Sequence, residues 1–328
     1  MRNFSYKDIS RLAKVSISTV SRYYNNGYVS KRTREKIEKV VKDHDYYPNN
    51  GARLIKGRSR SIFTILPDFY EGSFNHIVTG IEHAAKLHNK KVFITHTSVE
   101  QDQYIETIKY CLAWKPSAMV FFLPKIDNEK IIHFIKHHVS ESIPIIYGEQ
   151  AESINWIDVD VENSFYSVTK SFSEYIEENQ KIVYADDSKL SPRQKQLRYW
   201  GFKKACDKLN IEYERYEVNN KNNQEVQKFQ KYLQDKDLVN VVCSTHETFI
   251  NLVSSNDTQL RLTDIGTQSI YDTQKKYKAK IFIDYHKIGE QIEKTVHEIS
   301  QKKESETYDK NNKQYSQIIF RPSILTQK

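Results

Sequence analysis

DISRLAKVSISTVSRYYN, residues Asp8 to Asn25, carries two short helical patterns separated by a turn. Ser16 suits the N-cap of the second, because a serine hydroxyl can accept from an amide that the first helical turn leaves unpaired. Val20 and Tyr23, three residues apart, share an inward face and leave Ile17, Ser18, Ser21 and Arg22 outward. A face of small polar residues around one arginine packs poorly on protein. It suits a DNA major groove, which rewards close approach and a bidentate Arg–guanine contact. Upstream, Ser5 caps a predicted helix over Tyr6–Ala13 whose buried stripe is Ile9, Leu12 and Ala13. Joined through Ala13-Lys14-Val15, the pair forms a predicted helix-turn-helix.

The charge distribution supports that reading. The 328 residues carry a formal net charge of +8. Residues 1–60 hold 15 Lys+Arg against 5 Asp+Glu, whereas the other 268 hold 35 against 37. The positive charge therefore belongs to one small segment, which predicts salt-dependent nucleic-acid binding by counterion release. A solvated basic surface is the plainer meaning of a charge run. Its coincidence with a helix-turn-helix favours DNA.

At 38% hydrophobic and 28% charged, the chain can bury a sizeable core. Met1-Arg2-Asn3-Phe4-Ser5 leads into polar residues, and no apolar run approaches a membrane span, so a cytoplasmic protein is expected. Cys111, Cys206 and Cys243 are too dispersed for a disulfide framework or a zinc site. No G-x-G-x-x-G, phosphate-loop, C-x-x-C, H-E-x-x-H or G-x-S-x-G motif is present. We therefore expect neither an enzyme nor a metal or cofactor site. His133 and His137 have metal-ligand spacing on a predicted helix, but no further ligand completes a site and a solvated face is the better reading.

Along the chain, Ser30 caps a third helix over residues 31–44, with Ile37, Val40 and Val41 inward. Lys31, Arg32 and Arg34 oppose the helix dipole in its first turn, which suggests a phosphate partner. Within residues 49–60, NNGARLIKGRSR, Asn49 or Asn50 suits the cap of a short helical segment through Lys56 that Gly57 ends, too short to be stable alone in water. Leu54 and Ile55 among Arg53, Lys56, Arg58 and Arg60 either pack on the next domain or wedge between base steps in a minor groove. From Ser61, apolar strands alternate with amphipathic helices in two successive sets. The first set has strands at 62–66, 92–95, 118–123 and 144–147. The second has strands at 182–185, 212–218, 239–243, 262–266 and 280–284, and a final strand is expected at 318–324. Predicted helices include 164–178, 194–209 and 288–299, with residues 302–313 as an exposed loop. This pattern predicts two doubly wound α/β lobes with mainly parallel sheets and a ligand cleft at the strand C-terminal ends.

KDISRLAKVSISTVSRYYNN and VSKRTREKIEKVVKDHDYYPN closely resemble the headpiece of the lactose/galactose-repressor family of bacterial transcription regulators. More weakly, SIFTILPDF, IVTGIEHAAKLHNKKVFIT and RYWGFKKACDKLNI resemble successive parts of the family's core. The resemblance implies a helix-turn-helix headpiece over 1–48, a hinge over 49–60, and a two-lobed effector-binding and dimerisation domain over 61–328. That core would have the type I periplasmic-binding-protein fold. It also implies a homodimer on a pseudo-palindromic double-stranded operator. The DNA-contacting residues would be Ser16, Ile17, Ser18, Thr19, Ser21, Arg22, Asn25, Arg32 and Arg34, with Arg53, Leu54 and Ile55 at the hinge.

For the effector, a sugar or sugar phosphate, the resemblance suggests Asp68, Phe74, Glu149, Arg198, Thr245 and Gln268. A surface ion-pair partner is the plainer reading of Arg198, but its place beside Gly201-Phe202 favours an effector role; Glu149 reads equally as a solvated strand-end carboxylate, and Trp156 and Trp200 suit either core or ligand stacking. This chain departs from the family pattern at Ser244-Thr245-His246-Glu247, at Gly266-Thr267-Gln268-Ser269 and at Leu54, and Lys14 stands where glycine is frequent. The expected function is sequence-specific regulation, as a repressor of carbohydrate-utilisation genes. The alternatives are a cytoplasmic solute-binding protein, or a regulator that has lost its effector.

Overall fold

Residues 5–24, 27–44, 46, 61–68, 72–124, 126–254, 259–304 and 314–327 are described by the computed structural model. The chain divides into two compact units, residues 1–58 and 59–328.

In the first unit, α1 (Tyr6–Ala13), α2 (Ile17–Tyr24) and α3 (Lys31–Asp43) surround a core of Ile9, Ala13, Val20 and Ile37. The α1 N-terminus is held by Asp8, whose Oδ2 accepts from the Ser5 amide at 3.0 Å and the Ser5 hydroxyl at 2.7 Å. Three tyrosines close the unit: Tyr6 stacks on Tyr24 at 5.1 Å, and Tyr46 meets both rings edge-on. Leu12, expected inside, is 44% exposed; the core of so short a helix is filled by Ile9 and Ala13, four apart on one face. The turn closes through Lys14, at φ 53°, whose left-handed conformation explains why glycine suits the position.

The second unit holds two six-stranded sheets. Lobe 1 has the order β11-β5-β4-β3-β1-β2, built from β1 (Ser61–Pro67), β2 (Lys91–Thr97), β3 (Ala118–Phe122), β4 (Ile143–Tyr147), β5 (Asn155–Val159) and β11 (Gln317–Phe320). Lobe 2 has the order β12-β10-β9-β8-β6-β7, built from β6 (Ile182–Asp187), β7 (Tyr213–Val218), β8 (Asn240–Cys243), β9 (Arg261–Gly266), β10 (Ala279–Phe282) and β12 (Ser323–Thr326). All pairings are parallel except the antiparallel β10–β12 edge.

Lobe 1 carries α4 (Gly72–Leu87), α5 (Gln101–Leu112), α6 (Glu129–His138) and α12 (Tyr285–Glu304). Lobe 2 carries α7 (Val161–Phe172), α8 (Pro192–Leu209), α9 (Asn223–Asp235), α10 (His246–Val253) and the single turn α11 (Ile270–Thr273). The chain crosses between lobes at residues 159–161, 282–285 and 320–323.

Four expectations are corrected. The strand β5 was not foreseen, because Asn155 and Asp158 interrupt its apolar pattern. The helix expected at 164–178 starts at Val161 and ends at Phe172, followed by a 3-10 turn over Ser173–Tyr175. The strand expected at 318–324 is two strands in different sheets, since Pro322 has no amide to donate and ends one ladder before Ser323 begins the other. Lys302 and Lys303, expected in a loop, extend α12, where cations suit a helix C-terminus.

Two helix pairs meet backbone to backbone. A Cβ on Gly80 of α4 would lie 2.1 Å from the His286 carbonyl oxygen, and one on Gly289 of α12 would lie 2.0 Å from that of Ile77. In lobe 2, a Cβ on Gly201 of α8 would lie 2.0 Å from the Glu162 carbonyl oxygen on α7. Gly289→Ala must push α12 off α4, and overpacking of this kind costs about 1–3 kcal/mol or more; urea unfolding should show a midpoint loss absent from the exposed control Lys294→Ala. Lys14→Gly should instead stabilise the first unit by about 0.5–1 kcal/mol, since a non-glycine left-handed residue costs roughly 1–2 kcal/mol before the chain-entropy offset. Thermal unfolding of the variant checks it.

Candidate functional site

The first unit presents one face of α2 to solvent. Ser16, Ile17, Ser18 and Arg22 are exposed, while Thr19 and Ser21 are partly covered. Ser16 Oγ accepts from the Thr19 amide at 3.1 Å and sits 2.7 Å from Ser18 Oγ and 2.8 Å from Thr19 Oγ1. The cap thus gathers three hydroxyls at the positive end of the helix, a disposition that favours phosphate or base-edge acceptors. Arg32 and Arg34 are exposed at the start of α3, with the Arg34 guanidinium 5.3 Å from the centre of the Tyr23 ring. Asn25, Arg53, Leu54 and Ile55 lie outside the described residues.

In the second unit, a cleft of about 510 Å³ opens between the lobes, within the range of small-molecule sites. Its floor includes Val159, Val161, Ile283 and Tyr285 from two of the crossing segments. Among the six residues expected at an effector site, Phe74, Glu149, Arg198, Thr245 and Gln268 line the cleft. Asp68 does not. Its amide donates to the Thr97 carbonyl at 2.8 Å, which fixes it beside the end of β2, and its side chain is exposed.

The five lining residues differ in what they can do. Phe74 packs against Phe122, 4.7 Å between centroids, and forms an apolar wall. Burial raises the Glu149 carboxyl above its ordinary range; Arg193 opposes that rise, Asp158 adds to it, and a hydrogen bond from Asn128 lowers it. Arg198 donates from Nη1 to the Ser244 carbonyl and lies 5.8 Å from the centre of the Phe165 ring. Thr245 is a positioning residue: its hydroxyl accepts from the Thr248 amide to cap α10, and lies 3.0 Å from Asp187 Oδ2. Gln268 is exposed at the rim.

Several lining residues escaped sequence reading. Arg193, in the first turn of α8, donates across the cleft to Asp158 Oδ2 of β5 at 2.7 Å and to the Gly148 carbonyl at 3.3 Å. It ties lobe 2 to lobe 1, and the missed strand β5 concealed its partner. His246 Nδ1 sits 2.7 Å from Asp264 Oδ1, and the fully buried Lys280 Nζ lies 3.0 Å from Asp264 Oδ2 and 2.9 Å from Asp272 Oδ2. The unusual Thr245-His246-Glu247 run was the one available signal, but Asp264 lies 18 residues away on another strand.

Trp156 is a core residue, whereas Trp200 is 51% exposed and belongs to neither core nor cleft. His133 and His137 are exposed on α6. Among the described residues, His88, Glu293 and His297 offer ligand atoms within 4.8 Å of one another. The two rings stack 3.6 Å apart at 6°, so one ion cannot lie in both ring planes, and Lys90 already pairs with Glu293 at 2.9 Å. The three cysteines are buried, and burial pushes the Cys111 thiol up to about 11 and the Cys206 thiol up to about 12. Among the described residues, no helix is long and apolar enough to cross a membrane.

Comparison with known proteins places these features in one lineage. The profile of "Bacterial regulatory proteins, lacI family" matches residues 5–49, and that of "Periplasmic binding proteins and sugar binding domain of LacI family" matches residues 59–259. A sucrose operon repressor from Staphylococcus xylosus is 28% identical over 46% of this chain and 46% of its own. The transcriptional regulator RegA from Clostridium acetobutylicum is 32% identical over 50% of this chain and 47% of its own. The chain thus spans about half the length of these curated relatives. A solved structure of the Lac repressor dimer bound to operator and the anti-inducer ONPF shares the fold, with a TM-score of 0.76 at 18% identity, covering 99% of this chain and 98% of that one. With a lacI-type match at the three-helix unit and a second across more than half of the chain, the protein belongs to the lacI family of bacterial regulatory proteins.

Proposed function

We propose that the protein is a sequence-specific DNA-binding transcription regulator. It acts as a repressor of carbohydrate-utilisation genes and is controlled by a sugar or sugar phosphate in the interlobe cleft. The observation that carries this reading is the exposed Ile17, Ser18 and Arg22 face on a Ser16-capped helix, within a segment of 15 Lys+Arg and 5 Asp+Glu. Among the described residues, the first unit's core of Ile9, Ala13, Val20 and Ile37 draws on the opposite side of the helix, and a major groove would use the exposed face. The names of relatives, sucrose and ribose operon repressors among them, support a carbohydrate signal.

The working unit in this reading is a cytoplasmic homodimer on a pseudo-palindromic operator. Two copies of α2 read base edges through Ile17, Ser18, Thr19, Ser21, Arg22 and Asn25, while Ser16, Arg32 and Arg34 hold phosphates. Residues 49–60 form the hinge, with Arg53, Leu54 and Ile55 at the minor groove. The effector contacts Phe74, Glu149, Arg198, Thr245 and Gln268. Lobe closure carries the signal to the hinge, and such coupling is typically about 1–3 kcal/mol.

Arg22→Ala should weaken binding to the protein's own upstream DNA by about 1–3 kcal/mol, the usual worth of a bidentate base contact, and leave random-DNA binding nearly unchanged. Mobility shifts on both DNAs check it, and equal binding of both DNAs by both proteins would refute sequence-specific reading. Asp158→Asn removes the cross-cleft partner of Arg193. For a pair between exposed and buried, this should shift the lobes toward opening by about 1–2 kcal/mol. Dye-pair distances measured across the cleft should lengthen; an unchanged distribution would show that the pair does not hold the lobes.

A further inference from the structure

A cation near the start of a helix is repelled by the helix dipole, and Arg34 is exposed there, so α3 itself gives the side chain no preferred direction. Direction comes from α2. The Arg34 guanidinium carbon lies 5.3 Å from the centre of the Tyr23 ring. One turn further along α3, Glu38 Oε1 accepts from the Tyr23 hydroxyl at 3.4 Å. Positions four apart lie one above the other on a helix, so the phenol spans a single face of α3 from Arg34 to Glu38.

The ring is itself held. Tyr23 is partly buried against the core of Ile9, Ala13, Val20 and Ile37, and it meets Tyr24 edge-on at 5.0 Å and 83°. Tyr24 in turn stacks on Tyr6 of α1 at 5.1 Å. Aromatic contacts thus run from α1 through α2 to the guanidinium on α3. Burial, then the charge and hydrogen bond of Glu38, raise the Tyr23 phenol above its ordinary range against the pull of Arg34, so the hydroxyl stays protonated and can donate.

Contact with a ring fixes the head of an arginine while in-plane N–H donors stay available for an oxyanion such as a phosphate. An unrestrained arginine loses rotamer freedom when it meets that phosphate, and one already held loses less. We propose that Tyr23 is a positioning residue for DNA binding. Its ring presets the Arg34 guanidinium, so that the phosphate contact of α3 and the base-reading Arg22, one residue from Tyr23 on α2, meet the duplex in one register. The role belongs to the ring more than to the hydroxyl. It deepens the DNA-binding reading above and rests on it.

Fluorescence anisotropy of the full chain on its own upstream DNA and on random DNA, over a series of salt concentrations, tests the proposal. Tyr23→Leu keeps an apolar side chain and removes no charge. Partial unfolding would lower its affinity by one factor at every salt concentration and leave the salt dependence alone. Displacement of Arg34 should instead make the slope of log K against log salt shallower by about 0.9 for each subunit on the DNA, the worth of one phosphate contact. Affinity should then fall about fivefold per subunit in roughly 0.15 M salt, on both DNAs alike. Tyr23→Phe should restore most of both losses. Arg34→Ala should reproduce them, and adding Tyr23→Leu to it should cost little more. In the wild-type chain, arginine-labelled NMR should find the Arg34 side-chain protons shifted upfield by the ring before any DNA is added. The proposal is overturned by an unchanged slope in Tyr23→Leu, by full additivity of the two substitutions, or by random-coil shifts at Arg34. Equal wild-type affinity for the two DNAs is a different failure: it sinks sequence-specific reading and leaves the slope comparison on random DNA standing.

Discussion

The cleft exists because α12 returns to lobe 1. That helix follows β10 of lobe 2, yet packs on α4, and the packing depends on Gly80 and Gly289 facing each other with no Cβ between the backbones. Side chains there would hold the helices farther apart and weaken the pull that brings residues 282–285 across the gap. Ile283 and Tyr285 of that crossing form part of the cleft floor. Gly201 does the same service for α7 and α8, so each lobe is anchored by one close helix pair. Helix pairs packed this tightly move as rigid bodies, and relative motion is left to the crossing segments.

Electrostatics then divides the labour. The excess positive charge sits in residues 1–60, while the remaining chain is slightly negative. Inside the core the same separation recurs on a smaller scale, with lobe 2 cations and lobe 1 carboxylates lining opposite sides of the cleft. Arg193 and Asp158 span it and oppose opening.

Much of this was legible in the sequence, and what was not has physical causes. The three helices of the first unit could be placed to within two residues, because caps, apolar spacing and turn residues agree at Ser5, Ser16 and Ser30. Leu12 was misjudged because a two-turn helix has only room for Ile9 and Ala13 inside. In the core, alternating strands and helices gave the two-lobed class, but β5 was hidden by its polar residues and the β11–β12 division by a single proline. Those two misses bear on the cleft. Asp158 is on β5, so its partnership with Arg193 could not be anticipated, and the Asp264–His246 contact joins residues that only the sheet brings together. Phe74, Glu149, Arg198, Thr245 and Gln268 were suggested by resemblance rather than by spacing and line the cleft, whereas Asp68, suggested in the same way, does not.

The order of the strands also bears on the order of synthesis. Among the described residues, the core of the helical unit is complete by Tyr46, so that unit can condense while the rest of the chain is still being made. The core cannot. Lobe 1 begins at Ser61 but must wait for α12 and for β11 at residues 317–320, and lobe 2 receives its edge strand at residues 323–326. During translation both sheets therefore stay incomplete until residues 317–326 have left the ribosome. Such a chain offers a finished helical unit well before a finished two-lobed core, and the unpaired strand edges of the core stay open to other chains in the interval.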